Sequence, residues 1–387
     1  MQRVRHDHRP ERSLLQVPEL RRVERLQLDG RALAPRAGGV RGAGKRGVGR
    51  RARADRLRAS AREAVRGALR AALAAAALGS AGCVTLDLPL GAPAPLEERL
   101  VQGERGPKIL LLDVDGVLSE EGEAGALGLG TRESPVARVR EQLELARHDG
   151  EIRAVLLRVQ SPGGTVTASD VVYREILRFK EETRRPVLAH CLGVCASGGY
   201  YVALAADRIL AHPTTVTGSI GVVYSGLSVA GLMERWGVED QTLKSGAFKD
   251  AGSPWRRMRP DERAHLQSVI DDLHARFVEV LRAGRPSLDA AAAARLADGR
   301  IYSARQAKEA GLVDDVGYLP DAVKALEQRA GLASSRVVAY RRPREASENL
   351  YSEARGPAPQ AGLAGAAPLR ELAPQPGFLY LWAPGLF

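Results

Sequence analysis

Three uninterrupted apolar runs constrain the fold more than any other feature: KILLLDV from Lys108, IRAVLLRV from Ile152 and PVLAHCL from Pro186. A strand that is apolar on both faces must be covered on both, which a parallel sheet flanked by helices provides. The intervening segments have helical periodicity. SPVARVREQLELARHDG places Val136, Val139, Leu143 and Ala146 on one face, and SDVVYREILRFKEETRR is amphipathic in the same way. The expected class is therefore α/β, a parallel sheet core with flanking helices, in which the loops after the carboxyl ends of the strands carry the chemistry. DRILAHP and TGSIGVV read as further strands. PDERAHLQSVIDDLHARFVEVLRAG reads as a long helix, LDAAAAARLADG and SARQAKEAGLV as shorter ones.

This pattern places one catalytic-sized domain at residues 108–345, with 84–107 as a linker and 346–387 as a Pro/Ala/Gly tail that cannot bury a core. The tail ends in FLYLWAPGLF, an apolar stretch expected either to dock in the protein's own groove or to touch lipid. Residues 1–64 are arginine-rich and read as a disordered arm or as sequence upstream of the true start. The second reading is favoured because residues 65–83, VRGALRAALAAAALGSAGC, have the form of an export signal: Arg66 and Arg70, an apolar stretch too short to span a bilayer, then small residues and Cys83. Ser80-Ala81-Gly82-Cys83 resembles a bacterial lipobox with Cys83 as the lipidated residue, although Ser80 stands where leucine is usual and Leu78 lies further back. The alternative is an alanine-rich signal or anchor with an incidental cysteine. Either way the chain is expected to be exported and held at the extracytoplasmic side of a membrane.

The net charge of +11 suggests nucleic acid, but residues 1–70 hold 20 Arg+Lys against 7 Asp+Glu, a net +13, leaving −2 for the rest. With 4% aromatic residues the folded part offers neither a basic face nor stacking platforms, so no nucleic-acid partner is expected. Cys191 and Cys195, without a second pair or histidine spacing, read as small buried side chains rather than metal ligands or a disulfide. No metal and no cofactor is expected.

GVCASGGYYVA (193–203) sets Ser197 before two glycines, which permit a sharp strand-to-helix turn and let backbone N–H groups approach a reacting carbonyl. Gly163 and Gly164 close a strand-end turn upstream in the same manner. A serine nucleophile needs a base. His190 and His212 are near in sequence but lack an orienting carboxylate, whereas LKSGAFKDAGSPWRRM (243–258) offers Lys249 among small and apolar residues. A lysine serves as base only when uncharged, which apolar burial without a carboxylate achieves; Asp250 beside it could instead neutralise it at the surface. Arg256 and Arg257 read as a solvated rim.

QSPGGTV, GVCASGGYYVALAADRILAHPTTVTGSIGV, LKSGAFKDAGSPWRRMRPDER and GRIYSARQAKEAGLVDDVG occur in order over residues 108–330. Together they resemble the signal peptide peptidase A (protease IV) family, serine peptidases of the Clp-protease/crotonase fold, in its short form. The resemblance implies Ser197 as nucleophile, Lys249 as general base, Ser219 of TGSIGV as the hydroxyl orienting the lysine, and Gly164 and Gly198 as oxyanion-hole donors. It also implies a membrane-associated endopeptidase acting on signal-peptide remnants and other apolar peptides, assembled as a homo-oligomeric ring in which the lysine can come from a neighbouring subunit. Cys195 stands where alanine is common, and Ala304 where many members have glycine.

Two rival readings remain. ILLLDVDGVLSEE matches the opening of a haloacid-dehalogenase-type phosphatase, with Asp113 as nucleophile, Asp115 as acid/base and Asp314 and Asp315 as magnesium ligands. An inactive membrane-tethered scaffold of the same fold is the other, against which the retention of Ser197 and Lys249 argues.

Overall fold

The structure, a computed structural model, describes residues 94–122, 133–343, 345, 349–352 and 378–382. Residues 1–64, the export signal and Cys83 lie outside the described residues. Among the described residues no helix is long and apolar enough to cross a membrane.

The chain runs β1 (Glu97–Gln102), β2 (Lys108–Leu118), α1 (Pro135–His148), β3 (Ile152–Thr165), α2 (Val166–Thr183), β4 (Val187–Ala196) and α3 (Gly198–Ala203). It continues through β5 (Arg208–Ala211), β6 (Val216–Gly218), β7 (Val223–Tyr224), α4 (Ala230–Trp236), α5 (Pro260–Gly284) and α6 (Ala290–Leu296). β8 (Ile301–Ser303), α7 (Ala304–Glu309), β9 (Asp315–Val316), α8 (Leu319–Ala330), β10 (Arg336–Arg341) and β11 (Phe378–Leu381) complete it. The central order is β1-β10-β2-β3-β4-β5-β9, parallel from β10 to β9, with β1 antiparallel at the edge.

The apolar runs are buried on both faces because alternate residues enter separate cores. Leu110 and Leu112 of β2 pack with Val139, Leu143 and Ile176 of α1 and α2, while Ile109 and Leu111 pack with Leu319, Val323 and Leu326 of α8. Helices thus cover both faces, as the apolar runs require.

Several elements depart from the sequence expectation. β1 lies in the stretch read as a linker and pairs with β10, and β11 lies in the stretch read as a coreless tail yet joins the sheet. The expected strand TGSIGVV is split into β6 and β7, because Gly218, the last residue of β6, and Ser219 directly after it both take positive φ. β3 runs on through the double-glycine turn to Thr165, where the Thr165 side chain caps α2 by accepting from Ala168 N at 3.0 Å.

Candidate active site

Ser197 occupies the single residue between the end of β4 and the start of α3, with φ 51° and ψ −118°. This is a backbone region that side-chain-bearing residues avoid, at a cost of about 1–3 kcal/mol. The turn is held by Ser197 N–H donating to Gly218 O at 2.8 Å and by Tyr201 N–H donating to Ser197 O at 2.9 Å. Ser197 itself is only 1% exposed. Ser219 follows Gly218 directly, is half-buried and also has φ 51°. The two serines therefore flank one hydrogen bond, each on a strained turn at the carboxyl end of a parallel strand, β4 or β6.

The glycines are required by close approach as much as by turn geometry. A methyl group on Gly198 would stand 2.3 Å from Ser169 Oγ and 3.0 Å from Gly163 Cα, and one on Gly199 would stand 2.5 Å from Ser161 O. Gly163 has φ 103°, and a methyl group there would lie 2.7 Å from Gly198 N. The start of α3 is thus pressed backbone to backbone against the end of β3. Gly164, next along, abuts β2, where a methyl group would meet Leu118 O at 1.9 Å. Ser161 Oγ braces the turn, donating to Gly116 O at 2.6 Å and accepting from Gly163 N at 3.1 Å.

Lys249 lies in the loop between α4 and α5 and is exposed. Asp250 does not neutralise it. That carboxylate accepts from Arg256 Nε and Nη2, both at 2.8 Å, and from Lys244 Nζ at 2.7 Å. Hydrogen bonds from Arg256, then Lys244, hold Asp250 well below the usual carboxylate range. Arg256 also donates to Glu262 Oε2 at 2.7 Å, and Glu262, buried in the first turn of α5, accepts from Gly252 N at 2.5 Å. Arg256, read from sequence as a solvated rim, is instead the bridge that fixes the lysine loop to α5; a bidentate guanidinium with two carboxylates is not legible in RRM without the fold. Arg257 does match a rim, exposed with Glu234 at 3.7 Å. Among the described residues no hydrogen bond joins Ser197 Oγ to Lys249 or to a histidine.

His190 is buried on β4 with Nε2 3.1 Å from Gly317 O, and His212 Nδ1 pairs with Thr214 Oγ1 at 2.9 Å. Both are structural. Cys191 and Cys195, expected as separate small side chains, form a disulfide on β4. Register explains how residues four apart can meet: β4 pairs with β3 in one register at Cys191 and a shifted one at Cys195, so the strand is locally kinked between them.

The phosphatase reading fails on geometry. Asp113 is buried in ion pairs with Arg158 and Arg341, both at 2.7 Å. Asp315, on β9, pairs with Arg208 and Lys308, and Asp314 pairs with Arg285. β2 and β9 are four places apart in the sheet order, roughly 19 Å at about 4.8 Å per step, so these carboxylates cannot share one ion. Among the described residues no group of three or more His, Cys, Asp or Glu side chains could hold a metal.

A buried serine on a strained strand-to-helix turn, with glycine backbones crowded around it, has the form of a hydrolase nucleophile. The family model of peptidase family S49 matches residues 179–333, and that of Clp protease matches 127–217. The chain is 39% identical over 246 residues to an Enterococcus faecium protein named signal peptide peptidase SppA, covering 63% of this chain and 70% of that one. A protease of Synechocystis sp. is 38% identical over 213 residues, 55% of this chain and 74% of the relative. Protease 4 of Haemophilus influenzae is 29% identical over 60% of this chain, which spans 36% of that protein. A solved membrane-bound stomatin-specific protease aligns with 57% of this chain and 85% of its own at 14% identity and a TM-score of 0.36. The chain belongs to peptidase family S49 and is a serine peptidase with a Clp-protease-like α/β fold.

Proposed function

We propose that the protein is a Ser-Lys endopeptidase of apolar peptides, in which Ser197 is the nucleophile and Lys249 the general base. The observation that carries this reading is the Ser197 turn: a buried hydroxyl at φ 51° against the abutting backbones of Gly163 and Gly198. The uncharged Lys249 amine takes the proton from Ser197 Oγ as the oxygen attacks a peptide carbonyl. The N–H groups of Gly198 and Gly164 receive the developing oxyanion, the lysine returns the proton to the leaving amine, and water releases the acyl-enzyme. Ser219 orients the amine.

Lys249 is exposed within one chain, while Ser197 is buried. A lysine in water keeps its charge, so the base has to be dried by something outside its own subunit. The surface around it favours a second copy: Leu232, Trp236, Val238, Leu243, Phe248 and Trp255 are all exposed in this one region. We read the enzyme as a homo-oligomeric ring in which these faces are covered. Export, attachment at a membrane through Cys83 or a signal anchor, and action on signal-peptide remnants complete the proposal; apolar peptides are the substrates such a location supplies.

The test is hydrolysis of an apolar peptide by Ser197→Ala and Lys249→Ala. Each is expected to lose at least about 10⁴-fold in kcat while keeping the wild-type circular dichroism. Activity near wild type in either variant removes the dyad. Reassembling the two variants together from denaturant restores part of the activity if the serine and lysine of one site belong to different copies; no recovery assigns both to one copy.

A further inference from the structure

The oxyanion donors proposed above, Gly164 and Gly198, lie on two different segments, and one buried residue stands between those segments. β2 and β3 are paired at Asp115 with Gln160 and again at Val117 with Gly163, so Ser161 and Pro162 together face Gly116 alone. This is a β-bulge, a device that re-aims the backbone beside active sites. Pro162 has no N–H to give across it. The Ser161 hydroxyl supplies a bond there instead, donating to Gly116 O at 2.6 Å. The same oxygen accepts from Gly163 N–H at 3.1 Å, and Ser161 is fully buried.

The direction of these two bonds matters. A hydroxyl has one proton, and Gly116 O, which can only accept, takes it. The lone pairs of Ser161 Oγ are thereby left for the Gly163 N–H, which is committed to the bulge. On its other side Ser161 stands opposite Cys195 of β4, two residues before Ser197. Its backbone abuts the start of α3: a methyl group on Gly199 would lie 2.5 Å from Ser161 O and 3.1 Å from Ser161 Cβ. One residue therefore touches both donor segments, the Gly163–Gly164 turn through its hydroxyl and the Gly198–Gly199 turn through its backbone.

We propose that Ser161 is the positioning residue of the oxyanion hole: its hydroxyl commits the Gly163 N–H to the bulge, so that Gly164 N–H is the one aimed at the developing oxyanion, and its carbonyl seats the turn that carries Gly198 N–H. The proposal rests on the serine-peptidase reading above. Fully buried, Ser161 acts through the two glycine peptides rather than on the substrate. Without the hydroxyl, Gly116 O and Gly163 N–H are left unpaired in the interior and the peptide that carries the donor loses its aim. The loss falls on the transition state, because only there does the substrate oxygen carry a full charge.

The experiment uses the full-length enzyme, Ser161→Ala and Ser161→Thr, each given a peptide methyl ester and its thionoester, which carry oxygen or sulfur at the scissile carbonyl. Sulfur accepts hydrogen bonds weakly, so an aimed oxyanion hole favours the oxygen ester, in the wild type by at least about a hundredfold in kcat/KM. In Ser161→Ala the kcat for the oxygen ester is expected to fall about a hundredfold with KM within about threefold of wild type, and the preference for oxygen to fall at least about tenfold. Ser161→Thr keeps the hydroxyl and is expected to hold the preference within about threefold of wild type. A residue that served only the fold would lower both esters together, in proportion to the folded enzyme, and leave the preference unmoved. If Ser161→Ala does not fold, Gly116→Ala is the second variant. Its methyl group meets nothing within 4 Å, while φ 72° strains an alanine there, so the peptide relaxes by turning its carbonyl away from Ser161. A fall of at least about threefold in the preference is then expected. A preference unchanged in the folded variant, or lost equally in Ser161→Thr, overturns the proposal. Labelling by a fluorophosphonate probe separates the two layers: an enzyme labelled at Ser197 whose ester preference ignores Ser161 loses this proposal and keeps the peptidase reading, whereas a wild type neither labelled nor cleaving loses both.

Discussion

Around Ser197 the backbone is packed so closely that four glycine positions, 163, 164, 198 and 199, cannot take a methyl group without meeting an atom at 2.5 Å or nearer. Around Lys249 the opposite holds: Gly231 and Gly246 have nothing within 4 Å, Trp236 is 76% exposed and Leu243 is 97% exposed. The serine half is a finished interior that stores strain in the turn it needs. The lysine half is an unfinished surface held in shape by ion pairs. The nucleophile proposed at Ser197 can be built inside one fold, because a hydroxyl requires only position. A neutral lysine requires the exclusion of water, and this region of a single chain does not supply that.

The sharpest way to break this contrast is to add the same methyl group to each half. Gly198→Ala places it 2.3 Å from Ser169 Oγ, and the turn must shift to accommodate it. We expect about 1–3 kcal/mol of lost stability and a loss of at least about a hundredfold in kcat, because the N–H proposed for the oxyanion moves with the turn. Gly246→Ala meets nothing within 4 Å and is expected to leave stability within about 0.5 kcal/mol of wild type. Urea melts and peptide hydrolysis on both variants check this, and equal effects at the two positions would erase the distinction.

A smaller effect is expected from Arg256→Ala, which removes the guanidinium shared by Asp250 and the buried Glu262. The lysine loop loses its brace while the sheet is untouched. The expected outcome is a fall of about 10- to 100-fold in kcat with little change in the main unfolding transition. Arg256→Lys should not rescue it, since an ammonium cannot serve both carboxylates with the same fork. Arg257→Ala, its exposed neighbour, is the control. A global loss of stability in Arg256→Ala, or full rescue by lysine, would show that the loop is not held in this way.

The same contrast explains what was legible in the sequence. The apolar runs of β2, β3 and β4 announce a sheet buried on both faces, and the amphipathic spacing of α1 and α2 announces its cover, because burial leaves a local pattern. SGG marks the turn at the end of β4, since glycine at a close approach leaves a local signature too, whereas SPGG marks a close approach but not a strand end, because β3 continues to Thr165. Arg256 reads from sequence as a solvated rim and is not one, because its role depends on Glu262 arriving from α5. β11 was hidden for a related reason: FLYL is apolar in any context, and only the gap between β3 and β7 gives it a place. The cysteine pairing was missed because it depends on a register shift within β4.

Acid should act on the two halves differently. His190 lies two strands' depth inside the serine half, on β4, with Nε2 bonded to Gly317 O and Nδ1 without a hydrogen-bonding partner among the described residues. Burial, partly offset by the Gly317 bond, lowers its pKa to about 4. The unfolded chain takes up that proton near the ordinary value of about 6.5, so between about pH 6.5 and pH 4 the unfolded state binds more protons than the fold. The stability is therefore fully present above about pH 6.5 and is lost as pH falls toward 4, at up to about 1.4 kcal/mol per pH unit. Asp250, held ionised by Arg256 and Lys244, gives the lysine loop no such sensitivity over this range. Urea midpoints of the wild type should fall steadily from pH 7 to pH 4.5, and His190→Phe should flatten that slope whatever it does to the absolute stability. An unchanged slope in the variant would mean that the acid sensitivity resides elsewhere, and that the interior around Ser197 is not the half that protons open first.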